Sequence, residues 1–121
     1  MAEIARFEVS EKLLEQQNSF LQKARKNGKI RVGVNETTKA VERGIAKLVV
    51  IAMDVEPKEI VMHLPLICRE KHVAFSFAKT KKELGEKAGI EISTAAVAVV
   101  DEGEAKKELQ ELQKKLLELE K

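Results

Sequence analysis

Six consecutive apolar residues, Leu48-Val49-Val50-Ile51-Ala52-Met53, constrain this chain more than any other stretch. The run is short, rich in β-branched side chains and without polar alternation, as expected of a strand buried on both faces. Such a strand needs cover on both sides, and the flanking segments are patterned to supply it. Ser10 reads as the N-cap of a first helix, with Val9 stapled against Leu14. Leu13, Leu14, Phe20, Leu21 and Ala24 then share one helical face, and Gly28 ends the helix after Lys23, Arg25 and Lys26. Lys29–Val32 alternates like a short edge strand. Asn35 is placed to cap a second helix with Ala40, Val41 and Ile45 on its apolar side and Gly44 near its end.

Beyond the apolar run, residues 54–57 form a turn, followed by a helical stretch broken or restarted at Pro65. Residues 73–77 make a third strand. Thr80-Lys81-Lys82-Glu83 is a capping box opening a short helix that Gly89 stops. Residues 95–100 form the last strand, and Leu109, Leu112, Leu116 and Leu119 stripe a terminal helix. Helix and strand alternate with short links. The expected fold is α/β, a three-layer α/β/α sandwich on a central mixed four-stranded sheet. The 121 residues suit one domain, spanning 1–121, with no internal repeat and no linker.

Composition narrows the function. Net charge is only +2, and residues 101–121 carry net −2, leaving +4 for residues 1–100. That balance does not describe a nonspecific nucleic-acid coat. Four phenylalanines are the only aromatics, so a base-stacking platform for single strands is not expected. No apolar run reaches the roughly 20 residues of a membrane helix. The first seven residues carry an acid and no signal-peptide core, and the lone Cys68 cannot form an internal disulfide. A reducing, cytosolic compartment is the expectation.

Enzyme and cofactor motifs are missing. His63, Cys68 and His72 fall within ten residues, but a zinc site wants a fourth ligand and two recognisable pairs. The plainer reading is a helix with a buried thiol and two ordinary histidines. No phosphate-binding glycine loop and no nucleophile–base motif occurs. Asp54 ends the buried strand, where a phospho-receiver carries its acceptor aspartate. A receiver also needs an acidic pair after its first strand to hold magnesium, and Lys29–Val32 is basic instead. A second alternative is a protein-docking scaffold using the exposed face of the 109–119 helix, although such a leucine stripe more often faces the core.

The segment from Gly33 to Gly44 offers a more specific chemistry. If a helix opens near Asn35, then Glu36 lies in its first turn, Lys39 one turn on and Arg43 one turn further, along one row. A carboxylate can accept from guanine N1–H and N2–H₂, while a lysine donates to O6 or N7. The plainer reading is a helix with solvated charges.

Val32-Gly33-Val34-Asn35-Glu36-Thr37-Thr38-Lys39-Ala40-Val41-Glu42-Arg43-Gly44 resembles the RNA-binding signature of the archaeal L-seven-Ae group of large-subunit ribosomal proteins, which bind kink-turns. The resemblance continues through Leu48 to Asp54, Glu56-Pro57, His63-Leu64-Pro65-Leu66, Lys81 to Gly85 and Ile90 to Val100. It implies a monomeric α/β/α protein, without cofactor or catalysis, that recognises tandem sheared G·A pairs beside a bulge. Within the signature that holds Gly33, it implies that Asn35, Glu36 and Lys39 contact guanines. Arg43 and Lys81 would then approach phosphates, and Glu56 and Ile60 would lie by the flipped-out bulge nucleotide. The loop Ile90-Glu91-Ile92 would pack on the unstacked region. Implied partners are ribosomal RNA, box C/D and H/ACA guide RNAs, ribonuclease P RNA and the core proteins of guide-RNA particles. The chain departs from the pattern at Val32, where many members are basic, and at Ser93, where many carry proline.

Overall fold

Strand β2 (Leu48–Ala52) lies at the interior of the sheet, and all five of its residues are buried. The structure, a computed structural model, describes residues 11–90 and 92–120. Within them, α1 (Glu11–Asn27), β1 (Lys29–Val32), α2 (Val34–Glu42), β2, α3 (Glu59–Glu70), β3 (Ala74–Ala78), α4 (Lys81–Lys87), β4 (Ala96–Asp101) and α5 (Lys106–Glu120) follow in chain order. The strands form one mixed sheet in the order β1-β4-β2-β3. β2 and β3 run parallel, joined by the α3 crossover, while β4 pairs antiparallel with both β1 and β2. β1 is an edge strand, half exposed along its length, as its alternation predicts.

The covering helices fall into two sets. α2 packs on β1, β4 and α3, and α3 packs on β3. α1, α4 and α5 make the other set, with α1 touching both α4 and α5. Leu13, Phe20, Leu21 and Ala24 of α1 and Leu109, Leu112 and Leu116 of α5 are buried, as their spacing predicts. Gln17 shares that inward face of α1, fully buried, and its amide donates to the Phe77 carbonyl at 3.1 Å.

Several details differ from the sequence reading. Helix α2 starts at Val34, so the N-cap is Gly33 and Asn35 is the second helical residue. The reason is conformational. Gly33 has φ 100° and ψ 157°, a backbone region open essentially to glycine alone, and this swing turns the edge strand into the helix two residues early. Pro65 neither breaks nor restarts α3 but lies inside it. Its ring is buried beside Val61, Leu64 and Cys68, and packing of that face offsets the roughly 3 kcal/mol such a proline costs. Met53 lies past the end of β2 and is 46% exposed, and Ile45 faces outward from the α2–β2 link. The Ser10 cap with its Val9 staple, Glu91 and the Leu119 side chain fall outside the described residues.

Candidate nucleic-acid interface

Strand direction decides which loops meet. Because β1, β2 and β3 all run against β4, the ends of the first three lie beside the start of the fourth. Backbone bonds confirm it: Gly33 N–H donates to Ala96 O, Ala52 N–H to Ala95 O and Met53 N–H to Ala78 O, at 2.8, 2.8 and 2.9 Å. The start of α2, the start of α3, the start of α4 and the loop before β4 therefore gather at one end of the sheet. These segments carry Gly33, Asn35 and Glu36, then Glu56 and Ile60, then Lys81, then Ile90 and Ile92. Residues separated by up to about 60 positions in sequence become neighbours of one surface.

On α2 the buried residues are Thr37, Ala40 and Val41. At 3.6 residues per turn the opposite side carries Asn35, Glu36, Lys39 and Arg43, all exposed. Glu36 and Lys39 approach to 3.8 Å, with side chains 53% and 56% exposed. An ion pair that open to water contributes little to stability, so both groups remain available to a ligand. Asn35 makes no cap hydrogen bond, since Gly33 occupies the cap position, and its amide is not needed to start the helix. Arg43 is the C-cap residue of α2, so this helix of nine residues, roughly 13 Å long, separates it from the sheet end. Arg43 thus extends the row along the flank.

The remaining positions are built by the other loops. Glu56 precedes Pro57 across a cis peptide bond, and Ile60 N–H donates to Pro57 O at 3.2 Å in the first turn of α3. Ile60 is 44% exposed and Ile92 is 73% exposed, so both present apolar surface to solvent. Lys81 is the first residue of α4, which Thr80 caps through Glu83 N–H at 3.0 Å, as the capping box predicts. Glu91 lies outside the described residues.

Three contacts at this end, Thr38–His63, Asp54–Lys81 and Lys81–Thr94, had no signal in the sequence, because each joins distant residues. Thr38 Oγ1 donates to Val34 O at 2.8 Å and lies 2.8 Å from His63 Nε2. A hydroxyl has one proton, already given to Val34, so His63 Nε2 is the donor and ties α3 to α2. Asp54 Oδ1 accepts the Lys81 N–H at 2.8 Å, and Lys81 O accepts the Thr94 N–H at 3.1 Å. Among the described residues no three His, Cys, Asp or Glu side chains gather as metal ligands; Cys68 is fully buried and His63 is engaged with Thr38. No described helix is long and apolar enough to cross a membrane.

The perturbed carboxylates lie elsewhere. The hydrogen bond from the Lys47 ammonium, at 2.7 Å, holds the Glu102 carboxyl below its usual range, and Lys23 does the same for Glu108. Lys47 and Glu102 flank the start of β2 and the end of β4, at the opposite end of the sheet.

Residues 15–109 match the model of the ribosomal protein L7Ae/L30e/S12e/Gadd45 family. The structure also superposes on the Giardia lamblia 15.5kD RNA binding protein with a TM-score of 0.87 and 30% sequence identity, covering 98% of each chain. A match across most of the chain, together with the shared architecture, leads to one assignment: this chain belongs to the ribosomal protein L7Ae/L30e/S12e/Gadd45 family.

Proposed function

We propose that this chain binds RNA, and that it recognises kink-turns, in which tandem sheared G·A pairs beside a bulge bend a duplex sharply. The observation that carries the reading is the exposed Asn35-Glu36-Lys39 row on α2, opening at the sheet end shared with Ile60 and Ile92. Family membership, and the RNA binding stated of the Giardia lamblia protein, support the same class. In a sheared G·A pair the guanine Watson–Crick edge is free. Glu36 accepts from N1–H and N2–H₂, Lys39 donates to O6 or N7, and the Asn35 amide supplies either role. Arg43 and Lys81 neutralise phosphates. Ile60 and Ile92 offer apolar surface to an unstacked nucleotide, beside Glu56 and the loop that includes Glu91, and Gly33 sets the angle at which α2 leaves the sheet.

Preferential binding of the bent RNA shifts the population toward it. The chain then acts as a monomeric, single-domain platform for other proteins rather than as an enzyme. Its targets on this reading are ribosomal RNA, box C/D and H/ACA guide RNAs and ribonuclease P RNA, and its partners are the core proteins of guide-RNA particles. The motif string from Val32 to Gly44 supports the archaeal large-subunit subgroup and a place in cytoplasmic ribonucleoprotein particles. A gel-shift titration with a kink-turn RNA and a twin whose G·A pairs are made Watson–Crick tests it. Tight binding to the first alone is expected; equal or absent binding to both would overturn the proposal.

A further inference from the structure

The geometry points to Asp54 as a positioning residue for this interface, one that holds the start of α4 and, through it, Ile90 and the segment Ile92–Thr94 at the sheet end that also carries Glu56 and Ile60. The inference rests on the RNA-binding reading above for its consequence, though not for its structural content. Asp54 follows the end of β2, and its Oδ1 accepts the Lys81 N–H, 27 residues away. Lys81 opens α4, so its N–H has no acceptor within the helix. The Thr80 hydroxyl caps α4 locally, through Glu83; Asp54 ties the helix start to the neighbouring strand end.

The loop, in turn, hangs on α4. Ile90 N–H donates to Gly85 O at 3.0 Å and Thr94 N–H to Lys81 O at 3.1 Å, so both ends of the loop are bonded to the helix. Between them the Ile92 carbonyl leans on Gly85, where a Cβ would stand 2.1 Å from the oxygen. Thr94 Oγ1 then anchors the chain to Ala96 O at 3.0 Å. One carboxylate therefore sits at the head of a bonded series running from β2 through α4 to exposed Ile92.

Charge sharpens the point. An exposed carboxylate on a surface that receives a polyanion opposes binding unless it does something else. A charge-assisted bond to the first N–H of a helix is such a task, favoured also by the helix dipole. Asp54 thus acts on RNA through Lys81 and the loop, not by touching it.

The test compares Asp54→Ala, Asp54→Asn and Asp54→Glu in the full chain, reading amide hydrogen exchange in the free protein and affinity for a kink-turn RNA. Asp54→Ala is expected to speed exchange at Lys81, Ile90 and Thr94 and to weaken RNA binding about five- to tenfold, the scale of a lost helix cap. Asp54→Asn keeps an acceptor oxygen in place and should restore both to within about twofold. Asp54→Glu keeps the charge but moves the oxygens, so it should behave like alanine, and it serves the same purpose should the alanine variant not fold. Unchanged exchange at Ile90 and Thr94, tighter RNA binding by Asp54→Ala, or an asparagine variant as weak as alanine would each overturn the inference. A wild-type chain that binds no kink-turn RNA would sink the RNA reading, and the exchange pattern would still decide whether Asp54 holds the loop.

Discussion

Glu36 and Lys39 lie one turn apart at 3.8 Å, both more than half exposed, and neither packs against the core. Truncating either should leave folding almost untouched while removing a base-edge contact. Glu36→Ala and Lys39→Ala are each expected to cost about 1–3 kcal/mol in binding a G·A-containing kink-turn, with melting temperature near wild type. An equal loss on any duplex would show phosphate contact instead of edge reading. The row itself was legible from spacing alone, because helical period and residue type suffice to align Asn35, Glu36, Lys39 and Arg43. The helix start was not. Asn35 is a good cap by composition, and only the φ of Gly33 reveals that the turn is completed two residues earlier. Gly85 gives a second residue-scale prediction. A methyl there would meet the Ile92 carbonyl at 2.1 Å and Ser93 Cα at 3.2 Å, both backbone, so the loop must move. Gly85→Ala should destabilise the fold by about 1–3 kcal/mol, read by chemical denaturation, and weaken RNA binding with it.

Elements show where pattern and packing agree or compete. The six-residue apolar run, the edge strand and the Thr80 cap of α4 appear in the structure close to their expected bounds, since each is specified by local chemistry. Pro65 is the counterexample, for a helix that buries Val61, Leu64, Pro65 and Cys68 on one side keeps its course through a proline. The terminal helix resolves an ambiguity between core and docking face. Leu109, Leu112 and Leu116 are each at most 4% exposed, and α5 lies against α1 and β3. Burying three such side chains is worth roughly 5–9 kcal/mol, comparable with the whole stability of a domain this size. A chain truncated after Glu102 is therefore expected to lose its cooperative thermal transition, as followed by circular dichroism. A truncated chain that melts like the full one would return α5 to the role of a scaffold face.

Across the whole molecule, the two ends of the sheet treat charge differently. At the far end Lys47 bonds Glu102, whose carboxyl is held below the ordinary glutamate range by that hydrogen bond first and its own backbone bond second. A lowered carboxylate contributes stability that is full above about pH 4.3 and is lost as pH falls through the lowered value. Lys47→Ala should therefore flatten the loss of stability below that pH, measured by urea unfolding at pH 6 and pH 3.5. At the interface end Lys58, Lys79 and Lys82 flank the starts of α3 and α4, while the proposed reading gives Lys39 a base edge and assigns phosphates to Arg43, along the flank of α2, and to Lys81. Each phosphate neutralised adds about 0.9 to the slope of log affinity against log salt, so the expected slope is about −2. The net charge of +2 fits that scale, since no polybasic stretch adds long-range attraction. Titrations between about 50 and 500 mM salt give the slope directly. A value near −2 that Lys81→Ala reduces by about one unit matches specificity carried by guanine edges and apolar contact. A value of about −6 or steeper would mean that phosphate contacts outside this row carry most of the affinity.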